Sequence, residues 1–366
     1  MRYRCIPGRG REVAVYRHRR EQVVVITGAS AGVGRATARA FAARGARVAL
    51  LARGRGGLEA AAGEVRAAGG QALVMSVDVT DHQALDQAAD MVEDTWGPID
   101  VWINNAATAI FAPVPLVGAD SFRRVTEVTY LGYVFGTQCA LRKMLPRDAG
   151  TIVQVGSALA YRGIPLQAAY CAAKHAILGF HESLRCELLP TGSKVAVTMV
   201  QLPSVNTPLY DWMPAEAGRQ PRPVPPAYHP DVAARGILHA ADHPRRREYW
   251  VGGQSLVTIL ATKAAPAIVD RVLVAAGYWL ASSSKPHPAP PSNLWAAADD
   301  DQERGVEGHC VSYTRRFSMQ LWASHHRVPV AAIGALAAWA LVRRLASAQA
   351  RSLKARACQR LALRER

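Results

Sequence analysis

A valine-rich apolar run, QVVVIT (22–27), leads directly into a glycine-rich turn, TGASAGVG (27–34), and then into RATARAFAARG (35–45), a helical pattern closed by Gly45. A short, continuous apolar run reads as a strand buried on both faces, and a helix immediately after it must cross one of those faces. The glycines make the turn a phosphate cradle. Gly28 permits the tight turn, Gly32 lets backbone approach a pyrophosphate, and Gly34 allows the helix to pack close on the strand, with the helix N-terminus facing the anion. The spacing is GxxxGxG rather than GxGxxG, in a chain with 29 glycines, so the turn gains weight from the second strand-like run, ARVALLA (46–52), that follows it.

The same alternation continues along the chain. Strands are predicted near 22–27, 46–51, 71–76, 99–103, 150–156, 194–200 and 247–251, with helical patterns between them. The expected fold is therefore α/β, a doubly wound parallel sheet, Rossmann-like, of seven strands, with a helical C-terminal extension. A basic arm (1–21) precedes the catalytic domain (22–255); an apolar helical extension (256–281), a flexible linker (282–311) and an apolar helix with a basic tail (312–366) follow it. The Pro, Ser and Asp content of SSSKPHPAPPSNLWAAADDDQERG argues against a packed core there.

Chemistry enters with YCAAK (170–174) and with Ser157, thirteen residues before the tyrosine. Positions i and i+4 share a helix face, so the Tyr170 phenol and the Lys174 ammonium can meet one ligand. A phenol titrates near about 10, and a cation a few Å away draws that value down, which makes tyrosine a usable proton donor or acceptor. The chain has 6 Lys against 38 Arg, so a lysine at that position carries information. Six cysteines (5, 139, 171, 186, 310, 358) are scattered without a CxxC pair; neither a metal site nor a disulfide framework is implied, and a reducing cytoplasm suits them.

These pieces occur in a characteristic order: TGASAGVG, VDVTD (77–81), NNAA (104–107), Ser157 after TIVQVG, YCAAK and PSVNTP (203–208). In that order the chain resembles the short-chain dehydrogenase/reductase family over roughly residues 22–255. The resemblance implies an oxidoreductase acting on a secondary alcohol or ketone, with Tyr170 as general acid or base. Lys174 would lower the pKa of Tyr170 and bind the nicotinamide ribose, and Ser157 would bond the substrate oxygen. Cofactor contacts are implied for Gly28, Ser30, Gly32, Val33, Gly34, Asp78 and Val79 near the adenine, Asn105, Ala106, and Thr207 at the carboxamide. Where the family has a catalytic asparagine whose carbonyl holds a relay water, this chain has Thr129, which leaves a catalytically impaired dinucleotide-binding sensor or a structural, membrane-associated protein as the alternative function. Ser204 stands where the family often has glycine, read as a tolerated turn variant. A homodimer or homotetramer through the helices at 118–144 and 168–189 is also implied.

The end of the second strand reads LLARGRGG, with Arg53 and no carboxylate, so NADP is expected over NAD. LYDWM (209–213) and YRGIP (161–165) offer aromatic and aliphatic walls for an apolar substrate. The formal charge of +16 lies mostly in the tails: residues 1–20 contribute +6 and residues 343–366 contribute +7. Such arms fit nucleic acid, anionic lipid or simply an arginine-rich coding bias, and no specific nucleic-acid signature is visible. No apolar stretch near the N-terminus is long enough for a signal peptide. The segment 255–281 reads as helices that extend the pocket, form a subunit contact or face a membrane. VPVAAIGALAAWALV (328–342), about 22 Å as a helix, is too short to span and is read either as lying in an anionic membrane interface or as a soluble helix. The expected location is cytoplasmic, with peripheral contact on the cytoplasmic face of a membrane.

Overall fold

Strand alternation divides the core. Val24 and Ile26 point to one side of the sheet with Val48, Leu50 and Val153, and pack on Phe41, Leu58 and Ile237. Val23 and Val25 point to the other with Ala49, Leu51 and Ile152, and pack on Leu85, Val92, Met144 and Leu184. Every residue of the first strand is buried because both faces carry helices. The computed structural model describes residues 21–216, 218–286 and 292–326 together with Trp339 and Arg343.

Strands β1 (Val23–Thr27), β2 (Arg47–Ala52), β3 (Gln71–Ser76), β4 (Val101–Asn104), β5 (Thr151–Ser157) and β6 (Ala196–Leu202), with β9 (Glu248–Trp250), form one parallel sheet in the order β3-β2-β1-β4-β5-β6-β9. Short strands β7 (Arg219–Pro221) and β8 (Ala227–Tyr228) precede β9 in sequence and pair outside that sheet with β10 (Ser282–Pro286) and β11 (Thr314–Arg315). Helices α1 (Gly32–Ala42) and α2 (Arg55–Ala67), with α8 (Pro230–Asp242), cover one face; α3 (His82–Trp96), α5 (Gly132–Met144) and α6 (Ala168–Leu188) cover the other. The strand order reverses between β1 and β4, and the crevice beyond the carboxyl ends of the strands at that point is where such sheets bind ligands. The expected seven-strand doubly wound sheet is present.

Beyond the sheet, α9 (Gly252–Ala264) and α10 (Pro266–Ala281) form the apolar extension. Val274 and Trp279 on α10 are 83% and 74% exposed. Within the segment expected as a flexible linker, 282–311, described residues make specific contacts. Residues 282–286 pair with β7 as β10, and Asn293, Leu294 and Asp299 are buried against the catalytic domain. The segment is held through its backbone carbonyls and carboxylates and by two isolated apolar anchors, Leu294 and Val306, contacts that composition does not report. The segment 328–342 lies outside the described residues, Trp339 excepted, as does the arm 1–20. No helix among the described residues is long and apolar enough to cross a membrane.

Candidate active site

At the carboxyl end of β1 the glycine turn has the geometry its residues imply. Gly28 and Gly32 take φ of +64° and +57°, and a methyl on Gly34 would sit 2.1 Å from the Gly28 carbonyl oxygen, so the helix meets the turn backbone to backbone. Asn105, just after β4, donates to the carbonyls of Thr27 (3.0 Å) and Gly28 (3.1 Å), and the backbone N–H groups of Asn105 and Ala106 donate to Thr27 Oγ1. Asn105 therefore clamps the turn. Gly28, Ser30, Gly32 and Val33 line a cavity of about 600 Å³ shared with Asn105, Ala106, Ser157, Tyr170, Lys174 and Thr207, a size in the range of small-molecule and cofactor sites. The glycine-floored groove lies at the N-terminus of α1, where backbone N–H groups point toward an anion and where the Gly32 N–H donates to Gly305 O at 3.0 Å.

Ser157 ends β5 and Tyr170 and Lys174 lie on α6, so sheet and helix bring the three together as expected. Ser157 Oγ accepts from the Leu159 N–H at 3.1 Å, which leaves its proton free to donate. Burial pushes the Tyr170 phenol above its ordinary value, Tyr210 and Cys171 add to the shift, and a hydrogen bond with Ser157 opposes it. Lys174 Nζ donates to the Val155 carbonyl (2.9 Å) and to Tyr133 Oη (3.1 Å) and lies 5.5 Å from the Tyr170 ring centre. Burial lowers the Lys174 ammonium to about 7. The expected depression of Tyr170 by Lys174 is not found: the lysine's own pKa is lowered by burial and its ammonium points at Tyr133, whose hydroxyl donates to Val155 O at 2.9 Å.

Thr129 sits in a short π-helical turn, Glu127–Leu131, between α4 (Ala119–Thr126) and α5. Its hydroxyl donates to Thr108 O (2.8 Å) and accepts from Thr108 N–H (3.0 Å), fixing the strand end after NNAA. It does not line the cavity, whereas its neighbour Val128 does. The threonine side chain thus holds Thr108, while the relay was expected of the main-chain carbonyl at this position. Thr207 faces Gly32 across the cleft, within 3.2 Å of where a methyl on that glycine would lie.

The adenosine end departs most from expectation. Asp78 lines the cleft, but its carboxylate is held by Thr80 and by an ion pair with Arg124. Burial alone would raise its pKa; these hydrogen bonds outweigh that and lower it. Arg53 does not present a free guanidinium: it donates to the carbonyls of Leu294 (3.2 Å), Trp295 (3.1 Å) and Asn293. Arg124 Nε bonds Leu294 O as well, at 3.1 Å. Two arginines therefore strap the 293–295 segment across this end of the cleft.

Residues 22–216 match the family model for short chain dehydrogenase. The chain is 31% identical over 329 residues to the uncharacterized oxidoreductase YxnA of Bacillus subtilis, covering 89% of this chain and 91% of that one. The chain belongs to the short-chain dehydrogenase family. This dehydrogenase is also 28% identical over 240 residues to estradiol 17-beta-dehydrogenase 11 of Mus musculus, covering 65% and 78% of the two chains. Its fold is similar to an alcohol dehydrogenase of the archaeon Thermococcus sibiricus solved with 5-hydroxy-NADP, with a TM-score of 0.56 and 24% identity over 64% of this chain and 97% of that one. As a short-chain dehydrogenase it is an oxidoreductase with a dinucleotide-binding fold, acting on CH–OH or C=O groups.

The remaining walls of the dehydrogenase's cavity are largely apolar, with Arg162, Gln167, Ser204, Gln254 and Thr258 among them. Ile164, Leu209, Tyr210 and Met213 come from the two segments expected to supply them, and Val257, Val269, Val272 and Leu273 come from α9 and α10. Three contributors escaped sequence reasoning. Tyr133 has no motif of its own; Arg124 is one arginine among 38; Asp299 lies in a stretch whose composition reads as linker.

Proposed function

We propose that this dehydrogenase interconverts an apolar ketone and its secondary alcohol with a nicotinamide dinucleotide. The observation that carries the reading is one cavity in which the Tyr170 and Ser157 hydroxyls stand between a glycine cradle and an apolar wall. The bound cofactor supplies or accepts the hydride, with its electron pair, at the carbonyl carbon. Ser157 donates a hydrogen bond to the substrate oxygen, where negative charge develops in reduction. Tyr170, held protonated by its buried setting, transfers its proton to that oxygen and leaves a phenolate, which a proton from solvent restores. Lys174, whose pKa burial brings down to about 7, can take up a proton and stabilise that phenolate.

The apolar substrate class is supported by the α9–α10 wall and by the likeness to a relative named for estradiol. NADP preference would need a free guanidinium at Arg53, and its hydrogen bonds to three carbonyls speak against it. The sensor alternative rests on Thr129, whose hydroxyl is engaged with Thr108 and whose main-chain carbonyl is the group a relay would use. Peripheral contact with a membrane, supported by the exposed apolar residues of α10, and self-association through α4, α5 and α6 belong to the same reading. A screen of apolar ketones and alcohols, followed at the cofactor's absorbance, tests it. Dinucleotide-dependent turnover is expected for the wild type; a cofactor that binds while no ketone or alcohol is turned over would favour the sensor.

A further inference from the structure

The carboxylate missing from LLARGRGG reaches the end of β2 from far along the chain. Asp299 lies against the backbone just after Arg53: a methyl on Gly54 would be 1.8 Å from its Oδ1, and a methyl on Gly57 would be 2.4 Å from its Oδ2. Gly56 receives the Asp300 carbonyl in the same way, at 2.1 Å. The Gly57 N–H donates to Asp299 O at 2.8 Å, and the Arg55 N–H to Asp300 Oδ1 at 2.6 Å. The glycines of GRGG thus make room for an acidic segment, where the sequence alone offered only an arginine. Asp299 is 4% exposed, lines the dinucleotide cleft beside Ser30, and its Oδ2 is buried without a hydrogen-bond partner. An unpaired carboxylate oxygen at that depth is costly until a donor reaches it.

Resting on the oxidoreductase reading above, we propose that Asp299 is the selectivity residue for the adenosine ribose: it accepts a hydrogen bond from a ribose hydroxyl and excludes a 2′-phosphate, so that the cofactor is NAD. A ribose hydroxyl supplies the donor that Oδ2 lacks. A phosphate there would set two negative charges together in a buried site, with the nearest guanidinium, Arg53, already donating to Asn293, Leu294 and Trp295. Arg53 and Arg124 then act on selectivity indirectly, by holding the segment that carries the carboxylate.

Calorimetric titration of the full chain with NADH and with NADPH tests this without turnover. A hydrogen bond to a buried carboxylate, lost and replaced by repulsion, predicts that NADH binds the wild type at least about tenfold more tightly. Asp299→Asn and Asp299→Ala should each bring that ratio within about threefold, chiefly by improving NADPH binding, as the repulsion is removed. Arg53→Ala, which frees the segment that carries the carboxylate, should lower the ratio as well, chiefly by weakening NADH binding. Tighter NADPH binding to the wild type needs no variant and overturns the assignment; so does a ratio that neither Asp299 variant moves, or a loss on Arg53→Ala confined to NADPH. Failure of the wild type to bind either dinucleotide overturns instead the oxidoreductase reading beneath it.

Discussion

At the residue scale the site turns on two buried groups whose settings oppose their charged forms. Tyr170 is held protonated, which suits proton donation to a carbonyl oxygen. Replacing it by Phe keeps the ring and deletes the proton, so kcat should fall by about 10²–10⁴-fold with cofactor affinity nearly unchanged, measured by steady-state rates beside calorimetric titration. A Phe variant that keeps its rate would remove Tyr170 from the chemistry. Lys174 offers a test through stability. Burial lowers its pKa from 10.5 to about 7 in the folded protein. Between those values the unfolded chain binds a proton that the folded one does not, so this group makes the folded state more stable as pH rises through the window and costs most below it. Lys174→Met abolishes that dependence and leaves Val155 O still bonded by Tyr133. Stability of the Met variant relative to wild type should therefore decline between pH 7 and 10 in urea titrations; a constant difference would mean that the lysine stays charged inside the fold.

At the scale of elements, α5 lies on β4 over a buried polar cluster. Asn104 accepts from Trp102 Nε1 at 2.8 Å and donates to Thr137 and Gln154, each at 3.0 Å. Gly136 is what lets the helix approach: a methyl there would be 2.3 Å from Asn104 Oδ1 and 3.0 Å from Trp102 Nε1. Gly136→Ala should cost about 1–3 kcal/mol despite the better helix propensity of alanine, because a satisfied buried network must give way. Gly63 on α2 is exposed and meets nothing within 4 Å, so Gly63→Ala should stabilise by about 0.5–1 kcal/mol. Urea denaturation of the pair gives both signs. Equal shifts for the two variants would mean that propensity, not packing, governs α5.

For the whole molecule, the apolar helices α9 and α10 serve two environments. Val269 and Leu273 wall the cavity, Ile268 and Val272 line it while remaining exposed, and Val274, Tyr278 and Trp279 are exposed without lining it, together a larger set of apolar side chains than surface chance usually gathers. With the apolar 328–342 run and the basic residues after it, this face supports peripheral attachment to an anionic membrane. The full chain is expected to sediment with anionic vesicles, to be released by deletion of 312–366 or by high salt, and to float free of neutral vesicles. A full chain that stays in the supernatant with anionic vesicles would end that reading.

How much of this was legible in the sequence follows from the range of the forces involved. The sheet, the glycine turn and the Tyr170–Lys174 pair were all readable, because burial on both strand faces, a left-handed glycine turn and an i, i+4 spacing are written within a few residues of one another. Ser157 was readable from its order among the motifs. The partners of those groups were not. Lys174 bonds Tyr133, Thr129 bonds Thr108, Asp78 pairs with Arg124, and Arg53 holds the carbonyls of 293–295, all contacts between segments far apart in the chain. The segment that brings Asp299 back to the end of β2 was read as linker because polar composition signals the lack of an apolar face. It says nothing of carbonyls and carboxylates that two arginines and a run of glycines can dock. Local pattern determined the fold and the reacting groups, while only the tertiary structure decided which charge stands where the adenosine ribose would lie.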